Sequence, residues 1–151
     1  MYCWQYSSPV GSLFLSSNGE ALTGLVFERP EPQGHCDRAP FLQVIEELEA
    51  YFAGWLSRFT FPLQLAGTPF QLRVWQALQD IPYGKTWSYA QLAAAIGQPR
   101  ATRAVGLANG RNPIAIVVPC HRVIGKDGSL TGFGGGLSRK RFLLDLEQGL
   151  P

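Results

Sequence analysis

Cysteine and histidine are scarce in this sequence, and no apolar run approaches the length of a membrane span. The three cysteines, Cys3, Cys36 and Cys120, lie far apart with no CxxC pair. That spacing argues against a disulfide framework or a zinc ribbon as the organising device. Cys3, Cys36 and His35 have unconvincing spacing for a metal set, and no four Cys and His ligands occur together in the first half. The opening "MYCWQYSSPVGS" lacks the basic and apolar stretches of an export signal, so an unexported chain in a reducing cytosol is expected. Internal repeats and low-complexity segments are also absent.

What is present is ample core material. A chain of 151 residues, 46% of them hydrophobic, suits one compact domain or two small lobes sharing a core. Charge is unevenly spread. Residues 1–66 hold three Arg against seven Asp and Glu, a balance of −4, whereas residues 67–151 hold ten Lys and Arg against four acids, a balance of +6. The second half has the sign that attracts a polyanion, although a generic basic surface would have it too.

The patterning predicts an α+β fold in two lobes, 1–66 and 67–151. "YCWQYSSPVGSLFLSSNGEALTGLVFE" alternates apolar runs with turn residues and reads as an antiparallel meander of about three strands. A proline-rich connection follows, and Phe41, Val44, Ile45, Leu48, Tyr51, Phe52 and Trp55 recur at helical spacing as one buried face. In the second half, Thr68, Pro69 and Gln71 mark a capped helix whose core face is Phe70, Val74 and Leu78. Ser88 and Gln91 start another helix, which Gly97 ends, and a further helix spans about Ala101 to Ala108. These last two, joined by "GQPR", make a helix-turn-helix candidate. Its second member carries Arg100 and Arg103 among small residues, which suits either entry into a nucleic-acid groove or close helix packing. "NPIAIVVPC" predicts a strand from Ile114 to Val118, and the closing helix "SRKRFLLDLEQG" turns Phe142, Leu143 and Leu146 inward.

Cys120 therefore falls at a predicted strand end, followed by His121 and Arg122. A thiol is mostly protonated near neutrality and needs a base, a cation or a helix N-terminus to become a nucleophile. His121 is the nearest base, Arg122 raises the local positive potential, and the acids in the basic half that can orient the imidazole are Asp80, Asp127, Asp145 and Glu147. A buried structural thiol is the alternative on these grounds alone.

"IVVPCHRVIG", preceded by "GTPFQLRVW", "IPYGKTWSYAQLA" and "RAVGLANGRNP" and followed by "TGFGGGLSRKRFLLDLE", resembles the O6-alkylguanine-DNA alkyltransferase family. Those proteins are also called methylated-DNA–protein-cysteine methyltransferases. The likeness is strong over residues 67–148 and looser through "SPVGSL" and "EAYFAGW". It implies an RNase H-like scaffold lobe ahead of a DNA-binding, alkyl-acceptor lobe. It also implies stoichiometric, irreversible transfer of an alkyl group from O6-alkylguanine, and from O4-alkylthymine, to Cys120. By the same likeness His121 deprotonates the thiol through water, Glu147 orients His121, and Asn112 braces the turn. Tyr89 assists phosphate rotation and proton donation, and Arg103 fills the stack after base extrusion.

Ala101, Thr102, Ala104 and Arg100 accompany Arg103 on the DNA side. The resemblance also implies that Val123, Phe133, Gly134, Gly135 and Lys140 belong to the substrate pocket, with Gly134 standing where some members have a serine beside O6 and expected to leave room for bulkier alkyl groups. Neither a cofactor nor a metal is called for. The expected partner is duplex DNA carrying O6-alkylguanine, engaged by a monomer, with cooperative assembly on the duplex left open. Two rival functions are a non-reactive protein that recognises alkyl damage and a Cys/His hydrolase.

Overall fold

A computed structural model describes residues 1–31 and 34–149. Strands β1 (Tyr2–Ser8), β2 (Gly11–Ser17) and β3 (Leu22–Val26) form the expected antiparallel meander. Its turns follow from local chemistry. Gly11 has φ +99°, and the Ser8 hydroxyl donates to the Gly11 carbonyl (2.7 Å). At the next corner the Asn18 side-chain carbonyl accepts from the Glu20 and Ala21 amides, the hydrogen-bonded turn that asparagine favours. Alternation along the strands buries Leu13, Leu15, Leu22 and Leu25 in the core that also holds Val44, Ile45, Leu48 and Tyr51 of α1 (Leu42–Phe52).

Two details of this half differ from the sequence reading. Within the proline-rich connection, whose Pro32 and Gln33 lie outside the described residues, β4 (His35–Cys36) adds to the sheet edge parallel to β1, giving the order β3-β2-β1-β4. Trp55, expected on the buried helical face, is 86% exposed. The helix has ended by then, and Gly54, at φ +82°, turns the chain away.

The second half is helical. Helix α2 (Pro69–Leu78) starts with the full Thr68–Gln71 capping box, buries Val74 and Leu78, and leaves Phe70 half-buried. The Trp75 indole donates to the Ala108 carbonyl (2.8 Å), which ties α2 to α4 (Thr102–Gly110). Helix α3 (Tyr89–Ala95) has the second capping box, Ser88 with Gln91, and the chain leaves it through Gly97 at φ +74°. Helices α3 and α4 pack together as the expected helix-turn-helix, with Gly106 facing the Tyr89 ring. A short parallel pair, β5 (Trp87–Ser88) with β6 (Val123–Ile124), joins the start of α3 to the segment after Cys120.

The predicted strand over Ile114–Val118 does not form. Only Ile114 bridges to Leu25, and the remainder is a buried turn in which Ile116 takes φ +71°. An apolar run signals burial but not backbone period, and the prolines at 113 and 119 that flank this one have no N–H to give to a ladder. Helix α5 (Leu137–Glu147) is likewise rotated from expectation. Its buried stripe is Lys140, Leu143, Leu144 and Glu147, and Phe142 is 39% exposed. Two of those four positions are charged, so apolar spacing alone misplaces the face.

One continuous core runs through both halves. Leu25 and the turn exchange backbone hydrogen bonds: the Leu25 amide donates to the Pro113 carbonyl (2.9 Å) and the Ala115 amide to the Leu25 carbonyl (3.0 Å). The architecture is α+β, a small sheet lobe followed by a helical lobe that carries the cysteine. No helix among the described residues is long and apolar enough to cross a membrane.

Candidate active site

Asn112 builds the turn that delivers Cys120. Its side-chain amide donates to the Val118 carbonyl (2.7 Å), and its carbonyl oxygen accepts from the Ile114 amide (3.0 Å), closing the segment between them. A β-branched residue at positive φ is costly, and Ile116, 1% exposed, holds that conformation inside this closed turn. Pro119 then leads into a short 3-10 turn, Cys120–Arg122. Successive side chains there diverge by about a third of a turn. Cys120 faces a cavity of about 210 Å³, while His121 and Arg122 are buried behind it.

Behind the cysteine, three side chains converge on one carboxylate. His121 Nε2 lies 2.7 Å from Glu147 Oε2, Tyr51 donates its hydroxyl to the same oxygen (2.6 Å), and Arg122 donates from Nε to Oε1 (2.7 Å) and from Nη2 to Oε2 (3.1 Å). Arg122 also donates to the Ile81 carbonyl (2.7 Å). The guanidinium expected to raise the potential at the thiol is thus committed to Glu147 instead. Burial alone would raise the Glu147 carboxyl, but the hydrogen bonds and charge of His121 and Arg122 outweigh it and bring the pKa down to about 2. Burial lowers the His121 pKa despite Glu147, so the imidazole is neutral at pH 7. An ionised carboxylate only accepts, which assigns the proton to Nε2. Nδ1 then carries the free lone pair, and it is buried without a hydrogen-bond partner among the described residues.

Burial pushes the Cys120 thiol up, against the opposing effects of the Asn112 side chain and the Lys140 charge. The resting sulfur is a thiol. Lys140 is fully buried and donates to the Val123 carbonyl (2.6 Å) and the Thr131 carbonyl (2.7 Å), so one ammonium joins β6 to the glycine-rich loop. Loss of solvation lowers its pKa to about 8, while Cys120 favours the charged form.

The cavity has Asn109, Asn112 and Cys120 on one wall and Phe133, Gly134 and Gly135 with Phe27 on the other. The Phe27 and Phe133 rings stand 5.5 Å apart. A Cβ on Gly135 would sit 2.7 Å from Phe27 and 2.8 Å from Phe133, whereas one on Gly134 would meet nothing within 4 Å. Next to this cavity an open groove is lined by Tyr89, Thr102, Arg103 and Gly106, and the two share Gly110, Gly132, Phe133 and Gly134. Arg103 and Ala104 are exposed on α4, Arg100 is exposed in the preceding turn, and Ala101 is half-buried. Val123 and Lys140 do not line the cavity; they lie behind the loop that does.

The sequence reading missed Tyr51, Asn109 and Phe27. Tyr51 was legible only as an apolar position on α1, yet a buried tyrosine requires a partner for its hydroxyl, and that requirement was the available signal. Asn109 donates weakly to the Cys120 carbonyl (3.4 Å). Nothing in its neighbourhood of the sequence distinguished it from a helix surface residue.

The comparisons with known proteins agree across the chain. The family model for the "6-O-methylguanine DNA methyltransferase, ribonuclease-like domain" matches residues 1–65, and that for its "DNA binding domain" matches residues 69–149. The chain belongs to the 6-O-methylguanine DNA methyltransferase family. It is 50% identical over 153 residues to the methylated-DNA–protein-cysteine methyltransferase of Mycobacterium leprae, covering 98% of this chain and 93% of that one. The namesake protein of Haemophilus influenzae is 48% identical, with coverage of 98% and 87%. Among solved structures, Mycobacterium tuberculosis OGT in complex with DNA superposes with a TM-score of 0.95 at 51% identity, covering 100% of this chain and 96% of that one.

Proposed function

We propose that this chain repairs DNA by direct reversal, transferring the alkyl group from O6 of a damaged guanine in duplex DNA to Cys120. The observation that carries the reading is the buried thiol facing a cavity of about 210 Å³, backed by a neutral imidazole held on an ionised Glu147. In this reading residues 1–66 are the scaffold lobe and residues 67–151 the DNA-binding and acceptor lobe. A reducing cytosol is the compartment in which the thiol stays available.

The chemistry follows from the geometry. His121 Nδ1, directly or through a water, takes the proton of the Cys120 thiol, and Glu147 stabilises the imidazolium that forms. The sulfur attacks the alkyl carbon, the S–C bond forms, and the O6–C bond breaks. The electron pair leaves on guanine, which takes up a proton, with Tyr89 the proposed donor. A thioether has no leaving group that water displaces readily, so each molecule reacts once. Keeping the resting sulfur protonated limits side reactions until a substrate fills the cavity.

A cavity this small and recessed takes a base only after extrusion from the stack. Arg103, on the groove that runs into the cavity, is the proposed occupant of the vacated space, with Ala104, Thr102, Ala101 and Arg100 alongside the backbone. Phe133, Gly134 and Gly135 flank the base, while Val123 and Lys140 act from behind by fixing the loop. The decisive test is intact mass and peptide mapping after incubation with a duplex bearing one O6-methylguanine. One added methyl on Cys120, saturating at one per molecule, is expected. Tight binding with no mass change would instead mean a damage-recognition protein, and repeated turnover of an acyl reporter would mean a hydrolase.

A further inference from the structure

The outer face of the N-terminal sheet carries chemistry that the repair reaction leaves unused. Cys3 on β1 and Cys36 on β4 are register partners in a parallel pair, and both are free thiols. The preceding rung, Tyr2 with His35, brings its two rings together edge-on at 6.5 Å. The next rung projects from the opposite face, so the Cys3 and Cys36 side chains leave the sheet on the same side. Both cysteines line one cleft of about 480 Å³, along with Ser16, Gly24 and Pro113.

The rung is held firmly. The His35 amide donates to the Met1 carbonyl (2.9 Å) and the Asp37 amide to the Cys3 carbonyl (3.2 Å). Gly34, at φ +85°, presses against the Met1 carbonyl where any Cβ would collide, so only glycine permits this approach. Adjacent strands lie about 4.8 Å apart, inside the roughly 4.4–6.8 Å between Cα atoms that a disulfide spans. Cys36 is exposed and Cys3 half-buried, whereas Cys120 is buried.

We propose that Cys3 and Cys36 form a redox-responsive dithiol, closed to a disulfide by a peroxide and reopened by a thiol reductant. The Cys36 sulfur attacks one oxygen of hydrogen peroxide, giving a sulfenic acid and water. The Cys3 sulfur then displaces the hydroxyl as a second water. The S–S bond forms, the two thiols lose two protons and two electrons, and the peroxide is reduced to two waters. The strap fastens the edge strand β4 to β1 and closes a long chain loop, which restricts the unfolded state.

The test uses the full chain, treated with hydrogen peroxide, denatured and alkylated with N-ethylmaleimide. The expected result is loss of two hydrogens in mass, a single adduct on Cys120, and a Tm rise of about 5–10 °C that dithiothreitol reverses. Cys3→Ser and Cys36→Ser should each abolish that response while leaving alkyl transfer intact, so the outcome is independent of the repair reading. Three adducts after treatment, a disulfide joining two copies, a bridge to Cys120, or separate over-oxidation of the two sulfurs would each overturn the proposal.

Discussion

At the scale of single residues, Glu147 is the pivot, because one carboxylate serves His121, Arg122 and Tyr51. Its folded pKa, down to about 2 from 4.5, is depressed, so its stabilising contribution is complete above pH 4.5 and is lost as pH falls towards 2. That difference corresponds to roughly 3 kcal/mol. Urea unfolding at pH 6 should therefore find Glu147→Gln less stable than the parent by an amount of this order, with the gap closing below pH 3. The transfer rate of the parent should have its acid limb below pH 6.5, since burial lowers His121 and the reaction needs it neutral. Gly134 offers a second measurement. Open space around it accepts a serine without strain, so Gly134→Ser should fold normally and slow reaction with O6-benzylguanine several-fold more than with O6-methylguanine; equal rate changes on both would remove Gly134 as the determinant of pocket width.

At the scale of elements, the pairing of α4 with the glycine-rich loop links groove and cavity. Arg103 sits on the groove and not in the cavity, so Arg103→Ala should cost roughly tenfold or more in duplex repair and little with the free base O6-benzylguanine. Single-turnover rates on the two substrates separate the effects, and equal losses would argue for a structural role. The loop itself is held by Lys140, whose two backbone bonds depend on a charge that survives burial. Legibility also divides by element. The capping boxes at Thr68 and Ser88 were readable because a cap is written within four residues. The run from Ile114 to Val118 was not, because its backbone is decided by Asn112 bonding across it, with prolines on either side.

At the scale of the whole molecule, the acceptor turn is pinned to the sheet lobe, directly through Leu25 and, by way of Glu147, through Tyr51. An alkyl group on Cys120 adds bulk to a residue that is 6% exposed in this packed region. Overpacking typically costs about 1–3 kcal/mol. Alkylated protein should melt about 3–10 °C below the unreacted form, by calorimetry on the two species. An unchanged Tm would mean that the cavity absorbs the group without displacing the turn.

The sequence by itself determined what is local or compositional. It set the meander from alternation and turn residues, the helix starts from their caps, the basic second half, and the family from "PCHRV" and its flanking motifs. Tertiary structure alone decided which distant side chains meet. Tyr51 and Glu147 are 96 residues apart and share a proton bond, Lys140 is buried on a face that apolar spacing did not mark, and Cys3 and Cys36 become neighbours through strand register. Periodicity reports how a segment is buried, whereas the partner of a buried polar group is set by chain topology, which no short window contains.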